Sequence, residues 1–216
     1  MKIWCKIAII WAVISTIICV RYCFVPFAKN LISQWRFQQR KYMSVVDRKN
    51  VITEKIMEIS QSMENLPLKK QINKLHAELV LVDTMDISNL ITYGYDCLNL
   101  AVETIGKDSL KAIQLSKISI EAANKLRLYR TRGLVDLIDA AKIYTFNGLF
   151  DKNYYDTADA IYSRIIILIE NDSLKVPAFA ENDKVRYFTE LKETVHDLRF
   201  YNGMAKRFQL RKYIRK

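Results

Sequence analysis

The chain has 216 residues, half of them hydrophobic, with only 5 Gly and 3 Pro and a formal net charge of +11. That hydrophobic share excludes a disordered chain, and so few turn formers exclude a protein of many short strands. Of Cys5, Cys19, Cys23 and Cys97 only Cys97 lies beyond the N-terminal stretch, which excludes a disulfide framework in the body.

The stretch "KIAIIWAVISTIICVRYCFVPFA", Lys6 to Ala28, is the most apolar part of the chain. From Ile7 it counts 22 residues with Arg21 as its one charge. As a helix that is about 33 Å, against a hydrocarbon core of about 30 Å. Arg21 can snorkel to the headgroups, and Trp4, Trp11 and Tyr22 suit the interface. No pair of small residues offers a cleavage site. The expectation is an uncleaved single-span anchor over about residues 3–28, within a first segment 1–28, with Pro26 kinking or ending the span; a cleaved signal and a buried helix of a soluble core are the alternatives. Cys19 and Cys23 sit where reversible acylation occurs, but no specific motif marks them. Lys2 and Lys6 on one flank are outnumbered by Lys29, Arg36, Arg40 and Lys41 on the other, which leans the body toward the cytoplasm.

Residues 29–205 read as one helical domain. Apolar positions Leu31, Trp35, Tyr42, Val45, Ile52, Ile56, Ile59, Met63 and Leu66 predict a seam of 3.5-residue period, imperfect at Lys49. "NLP" at 65–67 ends or bends it. Leu68, Ile72, Leu75, Leu79 and Val82 predict the next helix, and "DTMDISN" at 83–89 a break rich in capping residues. Ile87, Leu90, Leu98, Ala101, Val102 and Ile105 form a stripe stopped by Gly106. Asp108 is an N-cap for a helix with Leu110, Ile113, Lys117 and Ile120 on one face. "RTRG" at 130–133 is either a turn or a passage within one helix. Leu134, Leu137, Ile138 and Ala141 keep the period, and "FNGLFDKN" at 146–153 is a turn. Tyr154, Ala158, Ile161, Ile165 and Leu168 predict a buried face, and "DSLKVPAFAEND" at 172–183 a loop. Phe188, Leu191, Val195, Leu198, Asn202 and Ala205 mark a last helix, followed by a basic tail at 206–216. No alternating strand pattern appears. The class is all-α: a transmembrane helix, then a bundle or stack of antiparallel helices.

Charge is concentrated at the two ends. Residues 1–50 hold Lys2, Lys6, Arg21, Lys29, Arg36, Arg40, Lys41, Arg48 and Lys49 against Asp47 alone, and the tail "KRFQLRKYIRK" holds no acid. Basic ends on a mildly acidic middle suit an anionic membrane surface, where each nearby base is worth roughly 1 kcal/mol. The expected surface contacts are Arg36, Arg40, Lys41, Arg207, Arg211, Lys212 and Arg215. Nucleic acid ranks below lipid as a partner, because the acidic middle repels phosphate.

"SRIIILIENDSLKV" from Ser163, "RFYN" at Arg199 to Asn202 and "RKNVITEKIME" from Arg48 to Glu58 resemble segments of LemA-family proteins. That resemblance implies one N-terminal span ahead of a long-helix bundle. It covers about 60 residues; Glu54 stands where the family has proline, the section between Glu58 and Ser163 is longer than the family norm, and the register around Thr194 differs. "YDTADAIYSRI", Tyr155 to Ile165, resembles the second helix of a tetratricopeptide repeat, with "AAKIYTFNGLF" as its first. It implies a groove that holds peptides or partner helices. Gly148 is out of place for that motif, and no second copy follows at its period.

The candidate sites are read against simpler roles. His76 and His196 have no metal-like partners in the sequence and read as solvent or core histidines. Asp136 and Asp139 read as a solvated helix face rather than an acid–base pair. No nucleophile elbow, phosphate loop or dinucleotide fingerprint is present. Tyr93, Tyr95, Tyr144, Tyr154, Tyr155, Phe200 and Tyr201 read mostly as core, with a partner groove as the alternative. Cys97 reads as a small buried hydrophobe. Asn202, polar within an apolar seam, reads as a residue that fixes helix register. No catalytic, cofactor-binding or metal-binding residue is expected. The expected function is a non-enzymatic, membrane-tethered helical scaffold or adaptor that binds a partner protein near the bilayer. The alternatives are a subunit of a secretion or envelope assembly that self-associates through its span, and a tetratricopeptide-like peptide-binding module.

Overall fold

In a computed structural model, the structure describes residues 25–61, 66–129, 133–171 and 183–214, with backbone alone at 129 and 210–214. Every regular element among these residues is helical, eight α-helices and one short 3-10 turn. The all-α class follows. The chain divides at Ser62/Met63 into two compact units, where the sequence predicts one domain over 29–205.

The first unit contains α1 (Val25–Gln39), a 3-10 turn (Arg40–Tyr42) and α2 (Val45–Ser60). The expected continuous seam is broken here. Ser44 starts a new helix: its Oγ accepts from the Asp47 amide at 3.2 Å and donates to Asp47 Oδ2 at 2.7 Å. Ser44 is thus an N-cap that satisfies one amide the helix itself cannot, and the Asp47 carboxylate holds its hydroxyl in place. Leu31, Trp35, Tyr42 and Val45 are consequently exposed, while Val51, Ile52 and Ile59 are the buried residues of α2. Helix α1 runs through the expected boundary at 28/29 and contains Pro26, so the helix does not end there. Among the described residues no helix is long and apolar enough to cross a membrane. Residues 3–24 of the expected span lie outside the described residues.

The second unit contains α3 (Leu66–Val82), α4 (Ile87–Thr104), α5 (Ser109–Tyr129), α6 (Leu134–Asn147), α7 (Asn153–Glu170) and α8 (Lys184–Ile214). The connections use the expected chemistry. Asp86 Oδ1 accepts from the Asn89 amide at 3.2 Å, and Asp108 Oδ1 from the Lys111 amide at 3.0 Å. Gly133 stands at φ +65°, a left-handed conformation suited to glycine, and α6 begins at the next residue. Of the "RTRG" segment, Gly133 is thus a break just before α6, while 130–132 lie outside the described residues.

Within the second unit each helix packs on its successor in sequence. Cross-helix pairs such as Lys69–Glu103 with Asn73–Cys97, and Ser116–Asn147 with Asn124–Tyr144, run in opposite senses along the two chains, so neighbours are antiparallel. In addition α4 touches α6 and α6 touches α8, whereas α3, α5 and α7 do not touch one another. The unit is thus a two-layer zigzag, closed along the α4–α6–α8 row and splayed along the other.

Small residues set the spacing. A Cβ on Gly94 would lie 3.1 Å from Ala122 Cβ and 3.2 Å from Ile143 Cδ1, so glycine lets α4 settle against both α5 and α6. The buried face of α5 is Ala112, Ser116, Ser119, Ile120, Ala122, Ala123 and Leu126. Leu110 and Ile113, expected to face inward, are exposed. The core continues through Leu137, Ala141, Tyr144, Ala158, Tyr162, Ile165 and Val195.

Candidate binding surfaces

Helix α8 is fixed to α7 by polar ties that its sequence spaces one turn apart. Arg199 donates from Nε to Asp159 Oδ1 at 2.7 Å and from Nη2 to Oδ2 at 3.2 Å. This two-pronged bond raises the Arg199 pKa still further. One turn on, buried Asn202 donates from Nδ2 to the Tyr155 carbonyl at 2.9 Å. Lys206 pairs with Asp156, and Gln209 donates to the Leu149 carbonyl at 3.0 Å. Near the other end Lys192 bonds Glu170 at 2.6 Å, which holds that carboxyl below its usual range. The segment expected as a tail from residue 206 is therefore a continuation of α8 as far as Ile214.

A second polar seam joins α5 to α6. Ser116 Oγ donates to Asn147 Oδ1 at 2.7 Å, and Asn147 Nδ2 donates to Ser119 Oγ at 3.2 Å and to the Ile143 carbonyl at 2.8 Å. All three side chains are buried and mutually satisfied, as an interior requires. Two serines four residues from apolar positions gave the only hint of it in sequence.

The splayed row leaves a cleft of about 860 Å³ between α5 and α7. Leu137, Ala160 and Ile161 contribute apolar surface; Asn124, Arg127, Thr157 and Arg164 contribute polar groups, as does Asp156, which also pairs with Lys206. Arg127 also lies 5.9 Å from the centroid of the Tyr144 ring. Leu128, on the same lining, is exposed.

The expected membrane-contact residues fall into two groups. In the first unit, Arg36 stands 4.0 Å from Glu54, Arg40 donates to the Phe37 carbonyl at 2.9 Å with its guanidinium over that ring, and Lys41 is exposed. In the second, Arg207 is exposed on α8. The backbone of α8 continues through positions 211 and 212, whose side chains, like all of Arg215, lie outside the described residues.

Several candidates change meaning. Asp136 is wholly buried in the first turn of α6, not part of a solvated face; the amides of a helix N-terminus favour a carboxylate there. Asp139 is partly buried and adds to the rise in the Tyr95 pKa that burial causes. His76 pairs with Asp96 across α3 and α4. Tyr144 and Tyr155 are core, but Phe200 and Tyr201 are 64% and 66% exposed. Cys97 is buried, its thiol pKa raised by that burial, and accepts from Asn73 Nδ2 at 3.2 Å. No group of His, Cys, Asp or Glu among the described residues is arranged to hold a metal.

Comparison with known protein families, curated proteins and solved structures finds no match to this chain.

Proposed function

We propose that this protein is a non-enzymatic, membrane-tethered helical adaptor. The apolar stretch over about residues 3–28 holds it in the bilayer, the body lies on the cytoplasmic side, and the helical stack presents a surface to a partner protein. The observation that carries this reading is the α5–α7 cleft, with apolar surface between two arginines. Apolar floor with a few placed polar groups is the usual makeup of a recognition site. Several charged pairs elsewhere in the stack tie helices to one another, as Lys69–Glu103 and Arg199–Asp159 do, which is structural work.

The test is photocrosslinking in membranes. A photoreactive residue at Leu128 or Thr157 should capture one distinct protein. Arg127→Glu with Arg164→Glu should abolish that adduct while the helical signal persists. Equal capture from Leu110, away from the cleft, would sink the reading.

A tetratricopeptide-like peptide-binding module is a second reading. The zigzag packing supports it, as does the spacing of Ala141 to Tyr144 on α6 and Ala158 to Tyr162 on α7, small residues followed by aromatics at the repeat's intervals. Self-association through the span is the third reading, and crosslinks confined to Cys5, Cys19 and Cys23 between identical chains would favour it.

A further inference from the structure

The inward stripe of α8 uses Phe188, Leu191, Val195, Leu198 and Asn202. At 100° per residue, Phe200, Met204, Phe208 and Tyr201 fall within one arc of about 100° on another side of the helix. Phe200, Tyr201 and Phe208 are 64%, 66% and 60% exposed. Phe200 and Tyr201 pack edge to face, with centroids 5.9 Å apart. Three rings exposed to this degree present on the order of 350 Å², within the range of the largest apolar patch on a typical monomer, which is often functional.

This half of α8 is also basic: Asp197 precedes the rings on the same side, but from Leu198 to Lys216 the sequence has Arg199, Lys206, Arg207, Arg211, Lys212, Arg215 and Lys216, and no acid. Arg199 and Lys206 are engaged by Asp159 and Asp156. Arg207 borders the aromatic arc, and helical register carries positions 211 and 212 along the same side. Because Asn202 sits against Tyr155 and Gln209 reaches Leu149, the last turn of α8 projects past the start of α7 at Asn153.

We infer that the outer face of α8, around Phe200, Tyr201, Met204, Phe208 and Arg207, docks on an anionic lipid surface. Aromatic rings beside arginines match the headgroup region, where one side is apolar and the other negatively charged. A second copy of the chain fits less well. A two-fold contact sets a patch against itself, and it would bring this acid-free run against its own positive charge. The inference rests on the membrane-tethered reading and adds a second contact at the opposite end of the sequence.

The experiment uses the full chain with Trp4, Trp11 and Trp35 changed to Phe and a single Phe208→Trp probe. Vesicles with brominated acyl chains are made of phosphatidylcholine alone or with about a third phosphatidylserine, and flotation is scored alongside fluorescence. The expected result is at least twofold stronger quenching in the anionic vesicles, lost in Arg207→Glu/Arg211→Glu or in high salt. A Val185→Trp probe, exposed at the start of α8, should stay unquenched. A chain that floats while Phe208→Trp is unquenched, or equally quenched in both vesicles, overturns the inference and leaves the tether standing. A chain that floats with neither overturns both. A blue shift of the probe that grows with protein concentration without lipid assigns the face to a second copy instead.

Discussion

Asn202 Nδ2 donates to the main-chain oxygen of Tyr155 at 2.9 Å, joining α8 to α7 through a side chain that is 2% exposed. Its Oδ1 is buried without a hydrogen-bond partner among the described residues. Asn202→Ala loses the bond and leaves a void, and should cost about 1–3 kcal/mol. Asn202→Leu fills the space and removes the orphaned acceptor, so it should cost less. It should also loosen the register of α8, seen as duplicated amide resonances in that helix. Thermal melts in detergent that rank the two variants the other way would contradict this account.

Gly148 closes α6 against a fixed neighbour. Its φ of −53° suits any residue, but a Cβ there would lie 2.6 Å from Tyr155 Cδ1 and nearer still to other ring atoms. Tyr155 is 1% exposed and has nowhere to go. Gly148→Ala should therefore destabilise by about 1–3 kcal/mol, and Tyr155→Leu in the same chain should recover part of the loss. An unchanged urea midpoint for Gly148→Ala would show that the turn yields.

The two faces of the stack should respond unequally to truncation. Ile165 is wholly buried at its centre, and Ile165→Ala should cost about 2–5 kcal/mol. Leu110 is 75% exposed, and Leu110→Ala should stay within about 0.5 kcal/mol. Comparable losses at both positions would mean that Leu110 belongs to the core.

Alkaline pH should destabilise the fold. Burial, with Cys97 beside it, pushes Tyr93 up to about 12, and burial also raises Tyr155 and Tyr162. Below the ordinary tyrosine value near 10, both folded and unfolded chains keep the phenol proton. Above it the unfolded chain releases protons that the folded chain still holds, so stability falls with rising pH until the folded values are passed. Tyr162→Phe should make that decline shallower, followed by urea midpoints between pH 9 and pH 11 alongside phenolate absorbance.

The N-terminal span has its own test. After carbonate washing of membranes the full-length chain should remain in the pellet. Its release into the supernatant would remove the anchor from the account, and a mature N-terminus beyond residue 15 would point to a cleaved signal.

Helix punctuation was legible in the sequence because its chemistry is local. Asp108 and the 146–153 turn work through groups within a few residues of themselves. The seam over 31–66 misled because its spacing counts apolar residues and ignores the stop inside it. Ser44 and Asp47 spell that stop, as Ser-x-x-Asp. The face of α5 misled for another reason. Large side chains at Leu110 and Ile113 dominate any pattern, yet close helix packing selected Ala112, Ser116, Ser119 and Ala123. The aromatic face of α8 could have been found by arithmetic alone, since the stripe through Val195 and Asn202 turns Phe200 and Phe208 away from it. Nothing local marks the Asp159–Arg199 tie, which joins residues forty apart in sequence.

The sequential packing of α3 to α8 also bears on how the unit comes apart. Each helix leans on its immediate neighbours, with only α4–α6 and α6–α8 as longer reaches. Such a lattice is nearly one-dimensional, and loss of an end helix leaves the remainder largely intact. Tension drawn along the chain would peel helices off in turn rather than break everything at once. Amide exchange should accordingly be slowest in α6, which has neighbours on every side, and quicken toward α3 and the far end of α8.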